Sequence, residues 1–161
     1  MKDFDYHLKN IVKINIFTYE EANVLEVKVK GIGTTNDGDG YAVLLSDMEE
    51  TKVLPIVVGP FEAQGIISIL KDYEPPRPMT YDLTKTLCET LGGYIEKIVI
   101  TDVREDIFYA EIYLKSGGVT HKIDSRPSDA IALALRFESP IYINFQLVEF
   151  TCDYEDLLDE Q

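Results

Sequence analysis

The chain has 161 residues, of which 45% are hydrophobic, including 7 Phe and 10 Tyr. This length and composition fit one domain with a buried core, and they exclude a chain that is disordered throughout. The 15 Lys and Arg stand against 29 Asp and Glu, and the resulting net charge of −14 disfavours nucleic acid as a partner wherever binding depends on neutralising phosphates.

The excess acid is concentrated at the C-terminal end, where seven acids follow the last basic residue, Arg136. We therefore predict an acidic tail over residues 149–161, with one short helix at 154–158 that stays outside the core. Residues 1–23 are predicted to form an N-terminal extension, in which the alternating segment 11–17 adds an edge strand. One folded domain is expected over residues 24–148.

Neither an export signal nor a membrane span is visible in the sequence. The chain begins with acids where a secretory signal carries basic residues, and no stretch approaches the roughly 20 apolar residues that cross a bilayer. Cys88 and Cys152 form neither a metal-ligand spacing nor a disulfide framework. We expect a cytoplasmic protein with reduced thiols and no membrane segment.

The first half of the domain is predicted to contain three strands and two helices. Residues 24–30 alternate apolar and polar side chains, and residues 41–45 and 53–58 are continuous apolar runs, which are strand patterns. A helix follows Pro60 and ends near Tyr73. The second helix begins with Thr80 as its N-cap, carries an apolar stripe and stops at a glycine pair. That stripe consists of Leu83, Leu87, Cys88 and Leu91.

The second half repeats the order of three strands followed by a helix that residues 24–73 show, with strands predicted at residues 94–101, 107–115 and 119–124 and hairpin turns between them. The helix over residues 127–137 is apolar nearly all round, which predicts the central buried helix. Residues 141–143, followed by 147–148, are predicted to form the last strand. These elements define an α+β fold with mixed or antiparallel sheets and three main helices.

Both halves open their helix with the same four-residue pattern, Pro, any residue, an acid and Ala. The two copies are residues 60–63 and 127–130. We interpret them as an internal duplication of a strand-strand-strand-helix unit, with the halves packed about an approximate twofold axis.

Two acids, Glu62 and Asp129, stand in the first turns of predicted helices, where backbone amides and the helix dipole favour a carboxylate. Charge that complements a helix end explains either acid taken alone. Other polar side chains crowd the same turns, however. Asp124, Ser125, Arg126 and Ser128 precede or flank Asp129, and Arg77, Thr80 and Asp82 crowd a second turn.

Convergent carboxylates are the ligands that a magnesium or manganese ion takes, and such an ion would neutralise a phosphate that the net charge repels. We predict a metal site of Glu62, Asp124 and Asp129, with Arg77 and Arg126 as clamps on a phosphate. In the competing interpretation the two arginines pair with Asp82, Asp124 or Asp129 and only fix two loops.

Four segments in chain order resemble the bifunctional nuclease domain family, and the likeness covers about residues 24–148. They are LPIVVG at 54–59 with Glu62 and Ala63, RPMTYDL at 77–83, IFYA at 107–110 and DSRPSDAIALA at 124–134. The resemblance implies an α+β fold, homo-oligomeric assembly and, because plant members are described as cutting both DNA and RNA, a nuclease activity.

The resemblance also implies a candidate site. Its acids would be catalytic, and its remaining polar residues would bind substrate. The acids are Glu62, Asp82, Asp124 and Asp129, and the other residues are Arg77, Thr80, Arg126 and Ser128. The family often has His where Tyr81 stands here. A tyrosine is a poor metal ligand and a poor base at neutral pH, so this departure bears directly on catalysis.

Two hypotheses follow. In the first, the chain is a metal-dependent phosphodiesterase that acts on DNA or RNA. In the second, it is a non-catalytic oligomeric module whose Arg-Pro turns and acidic rims are structural or bind a protein partner. The negative charge and the apolar third helix favour the second.

Overall fold

The structure is a computed structural model that describes residues 23–35 and 40–159. Its first half contains three strands and two helices: β1 (Val24–Thr34), β2 (Tyr41–Ser46), β3 (Lys52–Val58), α1 (Pro60–Leu70) and α2 (Thr80–Thr90). The edge strand predicted over residues 11–17 lies outside the described residues.

The second half adds three more strands and the third main helix. These are β4 (Gly93–Arg104), β5 (Ile107–Ser116), β6 (Val119–Ser125) and α3 (Pro127–Phe137). The chain then continues through β7 (Ile141–Asn144), a 3-10 helix (Phe145–Phe150), β8 (Cys152–Asp153) and α4 (Tyr154–Asp159). None of the helices in the described part of the chain is long and apolar enough to cross a bilayer.

The described strands form one mixed sheet in the order β6-β5-β4-β7-β1-β2-β3-β8, which confirms the predicted α+β class. Only β4 and β7 pair in parallel, and every other neighbouring pair is antiparallel. Because β1 runs against β7 and β4 runs with it, a twofold axis through β7 would exchange the two three-strand units. The strand order thus has the symmetry that a duplication predicts, and the duplication itself stays a prediction.

Helix α3 is the centre of the core, as its all-round apolar composition predicted. It packs against α1, α2, β4 and β5. Residues 130–134 are all buried, with Ala130, Ile131, Ala132 and Ala134 fully enclosed. The small side chains of Ala130, Ala132 and Ala134 let neighbouring elements approach α3 closely, and a close-packed interior forms around this central helix.

The two predicted hairpin turns of the second half are confirmed. The β4–β5 turn places Glu105 and Asp106 at φ 49° and 62°, and the β5–β6 turn places Gly117 and Gly118 at φ 57° and 80°. Two consecutive residues at positive φ are typical of the turns whose twist matches that of the paired strands.

Three of the four residues of the predicted α2 stripe are exposed, although an apolar stripe is typical of the side of a helix that packs. Leu83, Leu87 and Leu91 are 54%, 55% and 80% exposed, and no residue of α2 is fully buried. The opposite side of the helix, which carries Tyr81 and Lys85, contacts α3 and its C-terminal end instead. The spacing of apolar residues correctly predicted a helix. Contacts with residues distant in the sequence determined which side of that helix packs against α3.

Three local expectations also differ from the structure. Residues 147–148 belong to the 3-10 helix and not to a strand, because the Asn144 side chain accepts a hydrogen bond from the Gln146 amide and turns the chain. The N-cap of α2 is Met79, one residue before Thr80, and its amide donates to Asp82. The short tail helix is present, but before it β8 pairs with β3 at the sheet edge.

Candidate functional site

The first turns of α1, α2 and α3 meet around one cavity of about 320 Å³, here called the Arg126 pocket. Each helix contributes from its N-terminal end, because β3 leads through Gly59 into α1 and β6 leads through Arg126 into α3, each with proline at the first helical position. Unpaired amides and the dipole make a helix N-terminus favourable for a negative charge. The lining residues are Phe61, Glu62, Gln64, Gly65, Met79, Thr80, Tyr81, Arg126 and Asp129.

Arg126 links Glu62 and Asp129, the acids of the two matching helix starts at residues 60–63 and 127–130. Its Nε donates to Asp129 Oδ2 at 2.7 Å, its Nη2 donates to Asp129 Oδ1 at 3.1 Å, and its Nη1 lies 3.0 Å from Glu62 Oε1. The hydrogen bonds and charge of Asp129, with a further contribution from Glu62, raise the pKa of Arg126. The guanidinium side chain is nevertheless 65% exposed, whereas Glu62 and Asp129 are 18% and 30% exposed. The cation is therefore fixed by two carboxylates and still open to solvent.

Tyr81 completes this arrangement from α2. Its hydroxyl donates a hydrogen bond of 2.7 Å to Asp129 Oδ1. Burial, together with the hydrogen bond to Asp129, raises the pKa of the Tyr81 phenol further above its ordinary value. The phenol is consequently protonated at neutral pH and acts here as a donor that orients Asp129.

A second ion pair contacts Gly65 and Tyr81, two residues that line the pocket. Arg136 is 6% exposed, and its Nε donates to Asp82 Oδ1 at 2.6 Å, while its Nη1 donates to the carbonyls of Gly65 and Ala132 at 3.0 and 3.1 Å. The guanidinium carbon also lies 5.3 Å from the centre of the Tyr81 ring. Burial alone would raise the pKa of Asp82, but the hydrogen bonds from Arg136 and from the Met79 amide outweigh it and hold the pKa below its usual value.

The structure brings together only some of the predicted site residues. Glu62, Thr80, Arg126 and Asp129 line the Arg126 pocket. Asp82 instead binds Arg136 and caps its own helix. Arg77 is exposed in the loop before α2, and Asp124 is exposed on β6, opposite Glu111 of β5. Arg126 pairs with Asp129, as predicted by the competing interpretation in which the arginines form ion pairs with nearby acids.

The residues present do not fit the predicted magnesium or manganese ion in this arrangement. Among residues 23–35 and 40–159, no three His, Cys, Asp or Glu side chains are placed to hold a metal ion. Glu62 and Asp129 are held by the Arg126 guanidinium, which occupies the place of a cation between them. Metal dependence stays a prediction, and no chemical step is derived through an ion.

Sequence reasoning missed Arg136 and underrated Tyr81. Arg136 was the one charged residue in an otherwise apolar stretch of α3, and a charge on a buried helix needs a partner elsewhere. That signal predicts a buried ion pair without naming Asp82, which lies 54 residues earlier. Considered as a base or a metal ligand, a tyrosine at position 81 is a poor candidate, but the structure shows Tyr81 acting as a hydrogen-bond donor.

A larger cavity of about 590 Å³, here called the apolar groove, lies beside the pocket and shares Arg126 with it. The end of β3, the β4–β5 hairpin, the start of α3 and Phe150 line this groove. Ser128 of the predicted site lines the groove and not the pocket. A polar pocket and an apolar groove thus meet at one exposed arginine.

The fold and the pocket define an α+β protein with a charged cleft at converging helix N-termini. The family model for the bifunctional nuclease domain matches residues 43–152. This match overlaps most of the 24–148 segment that carries the sequence resemblance and ends four residues after it. The chain therefore belongs to the bifunctional nuclease domain family.

Individual relatives agree with this assignment. An uncharacterized protein of Mycobacterium tuberculosis is 36% identical over 118 residues, which cover 73% of this chain and 70% of that protein. Bifunctional nuclease 1 of Oryza sativa subsp. indica is 33% identical over 95 residues, or 57% of this chain and 29% of that protein. Bifunctional nuclease 2 of Arabidopsis thaliana is 28% identical over 95 residues, with the same coverage. The matched region spans less than a third of each of these two plant proteins.

Proposed function

We propose that this chain hydrolyses phosphodiester bonds of DNA or RNA in the Arg126 pocket. The observation that carries the proposal is the state of Arg126. Its guanidinium has five N–H groups, of which two donate to Asp129, while Nη1 forms an ion pair with Glu62. The remaining N–H groups belong to a side chain that is 65% exposed, so a phosphate oxygen can bind without breaking either ion pair. The names of the plant relatives support the same activity.

The two carboxylates of the pocket are suited to different roles. Asp129 accepts from Tyr81 and twice from Arg126, so both of its oxygens are engaged. Glu62 pairs only with Arg126 among the described residues, through Oε1. Asp129 therefore positions the arginine, and Glu62 is the better general base for an attacking water. Arg126 and the helix N-termini would stabilise the charge that develops on the phosphoryl oxygens.

The experiment is a cleavage assay with purified protein on DNA and RNA strands, in magnesium, in manganese and in chelator. We expect Arg126→Met to lose on the order of 100-fold in rate because a preorganised cation is removed. Glu62→Gln should lose roughly 100-fold or more. Glu49→Gln is the matched control, since Glu49 is exposed in the turn between β2 and β3. Cleavage that survives both pocket substitutions would contradict the proposal, and so would its absence under every ionic condition.

A further variant separates this pocket from the predicted three-carboxylate metal site. Asp124 belongs to that metal site but does not line the Arg126 pocket. Metal-dependent activity that is lost in Asp124→Asn would support the metal site. Activity that persists in chelator would support hydrolysis by Arg126 and Glu62 alone.

A second candidate function, a non-catalytic homo-oligomeric module, is favoured by the exposed face of α2. Leu83, Leu87 and Leu91 lie there in the open. The hydroxyls of Thr84, Thr86 and Thr90 each donate to the carbonyl four residues earlier. Their hydrogen-bonding needs are met within the helix, so this face is uncharged and mainly apolar, as the centre of a protein interface is.

Sedimentation of the full chain tests this second candidate. We expect an oligomer that Leu87→Asp dissociates while the fold is kept, because Leu87 is 55% exposed. Leu70→Asp on α1, at a leucine that is 41% exposed, serves as the control. A wild-type chain that sediments as a monomer at micromolar concentrations would exclude the module.

A further inference from the structure

Exposed apolar side chains line both of the cavities that share Arg126. In the apolar groove, Val57, Ile107 and Phe150 are 71%, 60% and 47% exposed. In the Arg126 pocket, Phe61 is 82% exposed. Burying such side chains away from water is favourable. A ligand that covers them and also contacts Arg126 therefore gains binding free energy from apolar burial and from the charge of the guanidinium.

The groove has few polar side chains with which to read the edge of a ligand. Apart from Arg126, only Asp106 and Ser128 of the lining residues carry polar side chains. A flat apolar group would therefore be held by its faces. Nucleobases meet this description, since every base has a face that stacks on aromatic and apolar side chains whatever its hydrogen-bonding pattern.

We propose that the site takes single-stranded nucleic acid, with one phosphate on Arg126 and unstacked bases on either side of it. One base lies in the apolar groove against Ile107 and Phe150, and the neighbouring base lies against Phe61. This inference rests on the proposed function and specifies its substrate. In a duplex the bases are stacked and paired, so their faces cannot enter the groove without the strands being separated.

The protein's charge leads to a second expectation for the same complex. A chain with net charge −14 that neutralises one phosphate through Arg126 gains little from counterion release. For a single strand, the slope of log K against log salt is about −0.7 per neutralised phosphate. We therefore expect a slope near that value, and little preference among base sequences.

Binding is measured by fluorescence anisotropy of a labelled DNA strand and of the same strand annealed to its complement. Glu62→Gln is used so that the strand is not cut. We expect at least tenfold weaker binding of the duplex. The double variant Ile107→Ser/Phe150→Ser and the single variant Phe61→Ser should each lose roughly tenfold in affinity for the single strand. All three side chains are exposed, and circular dichroism verifies that the variants fold.

Phe145→Ser is the matched control, because Phe145 lies on the same 3-10 helix as Phe150, is 64% exposed and does not line the groove. Equal binding of duplex and single strand, wild-type affinity in the groove and Phe61 variants, or no binding of the strand would overturn the inference. Cleavage by the wild type is recorded separately. Strand binding that needs the groove but leads to no cleavage would refute the proposed function and leave this inference standing. Cleavage without preference for single strands would support the proposed function and refute this inference.

Discussion

Tyr81 donates a 2.7 Å hydrogen bond to Asp129, which lies 48 residues further along the chain. This bond joins the first turn of α2 to the first turn of α3. Because Asp129 in turn holds the Nε and Nη2 groups of Arg126, the phenol of one helix helps to set the position of a cation on another. The pocket therefore depends on the packing of α2 as much as on its own charged residues.

Tyr81→Phe removes this bond and keeps the ring. We expect the free energy of unfolding to fall by about 1 kcal/mol, the typical contribution of one hydrogen bond. Urea denaturation of both proteins measures the difference. Tyr73→Phe provides the comparison, since Tyr73 is 59% exposed. If the two variants were equally stable, the bond to Asp129 would contribute nothing.

Tyr81→His introduces the residue that the family often carries at this position. An imidazole N–H can also donate to Asp129, and the carboxylate raises the pKa of such a histidine. If the pocket hydrolyses phosphodiesters, we expect a faster reaction and a new ionisation between about pH 6 and 8 in the pH profile of the rate. A profile that matches wild type would show that this position takes no part in proton transfer.

Asp82→Asn leaves the buried Arg136 without its carboxylate. We expect a loss of about 3 kcal/mol at pH 7. Because the pKa of Asp82 is lowered in the folded state, its contribution is complete above about pH 5 and is lost as the pH falls below the unfolded value near 3.9. Urea denaturation at pH 7 and pH 3 should therefore show a smaller gap between wild type and variant at pH 3.

Arg136→Met removes the other partner of the same ion pair and leaves Asp82 without its cation. Asp82 is 29% exposed, whereas Arg136 has 3% of its side chain exposed. An unpaired Asp82 can be hydrated, so this variant should lose less stability than Asp82→Asn. The opposite order would contradict the view that the buried cation is the costly partner.

Gly65→Ala tests the close contact between α1 and the Tyr81 ring. A Cβ at Gly65 would lie 2.5 Å from Tyr81 Cε2 and 2.6 Å from Cδ2. Helix propensity favours alanine by about 1 kcal/mol, so a net loss of stability isolates the clash, for which we expect about 1–3 kcal/mol. Gly33→Ala, where a Cβ meets nothing within 4 Å, should be nearly neutral. Thermal unfolding of both variants decides the matter.

Removing residues 152–161 uncovers the edge of β3. In the full chain, Cys152 and Asp153 pair with this strand, Lys52 lies 2.7 Å from Asp153, and Lys30 lies 5.0 Å from the ring centre of Tyr154. The deletion also changes the net charge from −14 to −9, because it removes five acids and no base. An open edge and weaker repulsion favour self-association, which sedimentation would detect. Full-length Asp153→Asn, which loses only the ion pair, should sediment as wild type does.

Local sequence patterns were sufficient for most of the secondary structure. The φ-positive turns of the two hairpins, the start of α1 and α3 at proline, and the burial of residues 130–134 all follow from side chains within a few positions of one another. Such features depend on backbone preferences and short-range periodicity, which the amino-acid order states directly.

Tertiary structure alone decided which of these elements meet. The Leu83 stripe predicted an amphipathic α2, yet the side with Tyr81 and Lys85 packs against α3 and the leucines stay exposed. The same packing decided that Asp82 binds Arg136 and that Glu62 and Asp129 share Arg126 while Asp124 stays on β6. The free energy of an ion pair depends on the distance between its two charges and on how deeply they are buried. When the partners are far apart in the chain, their spacing in the sequence gives neither quantity.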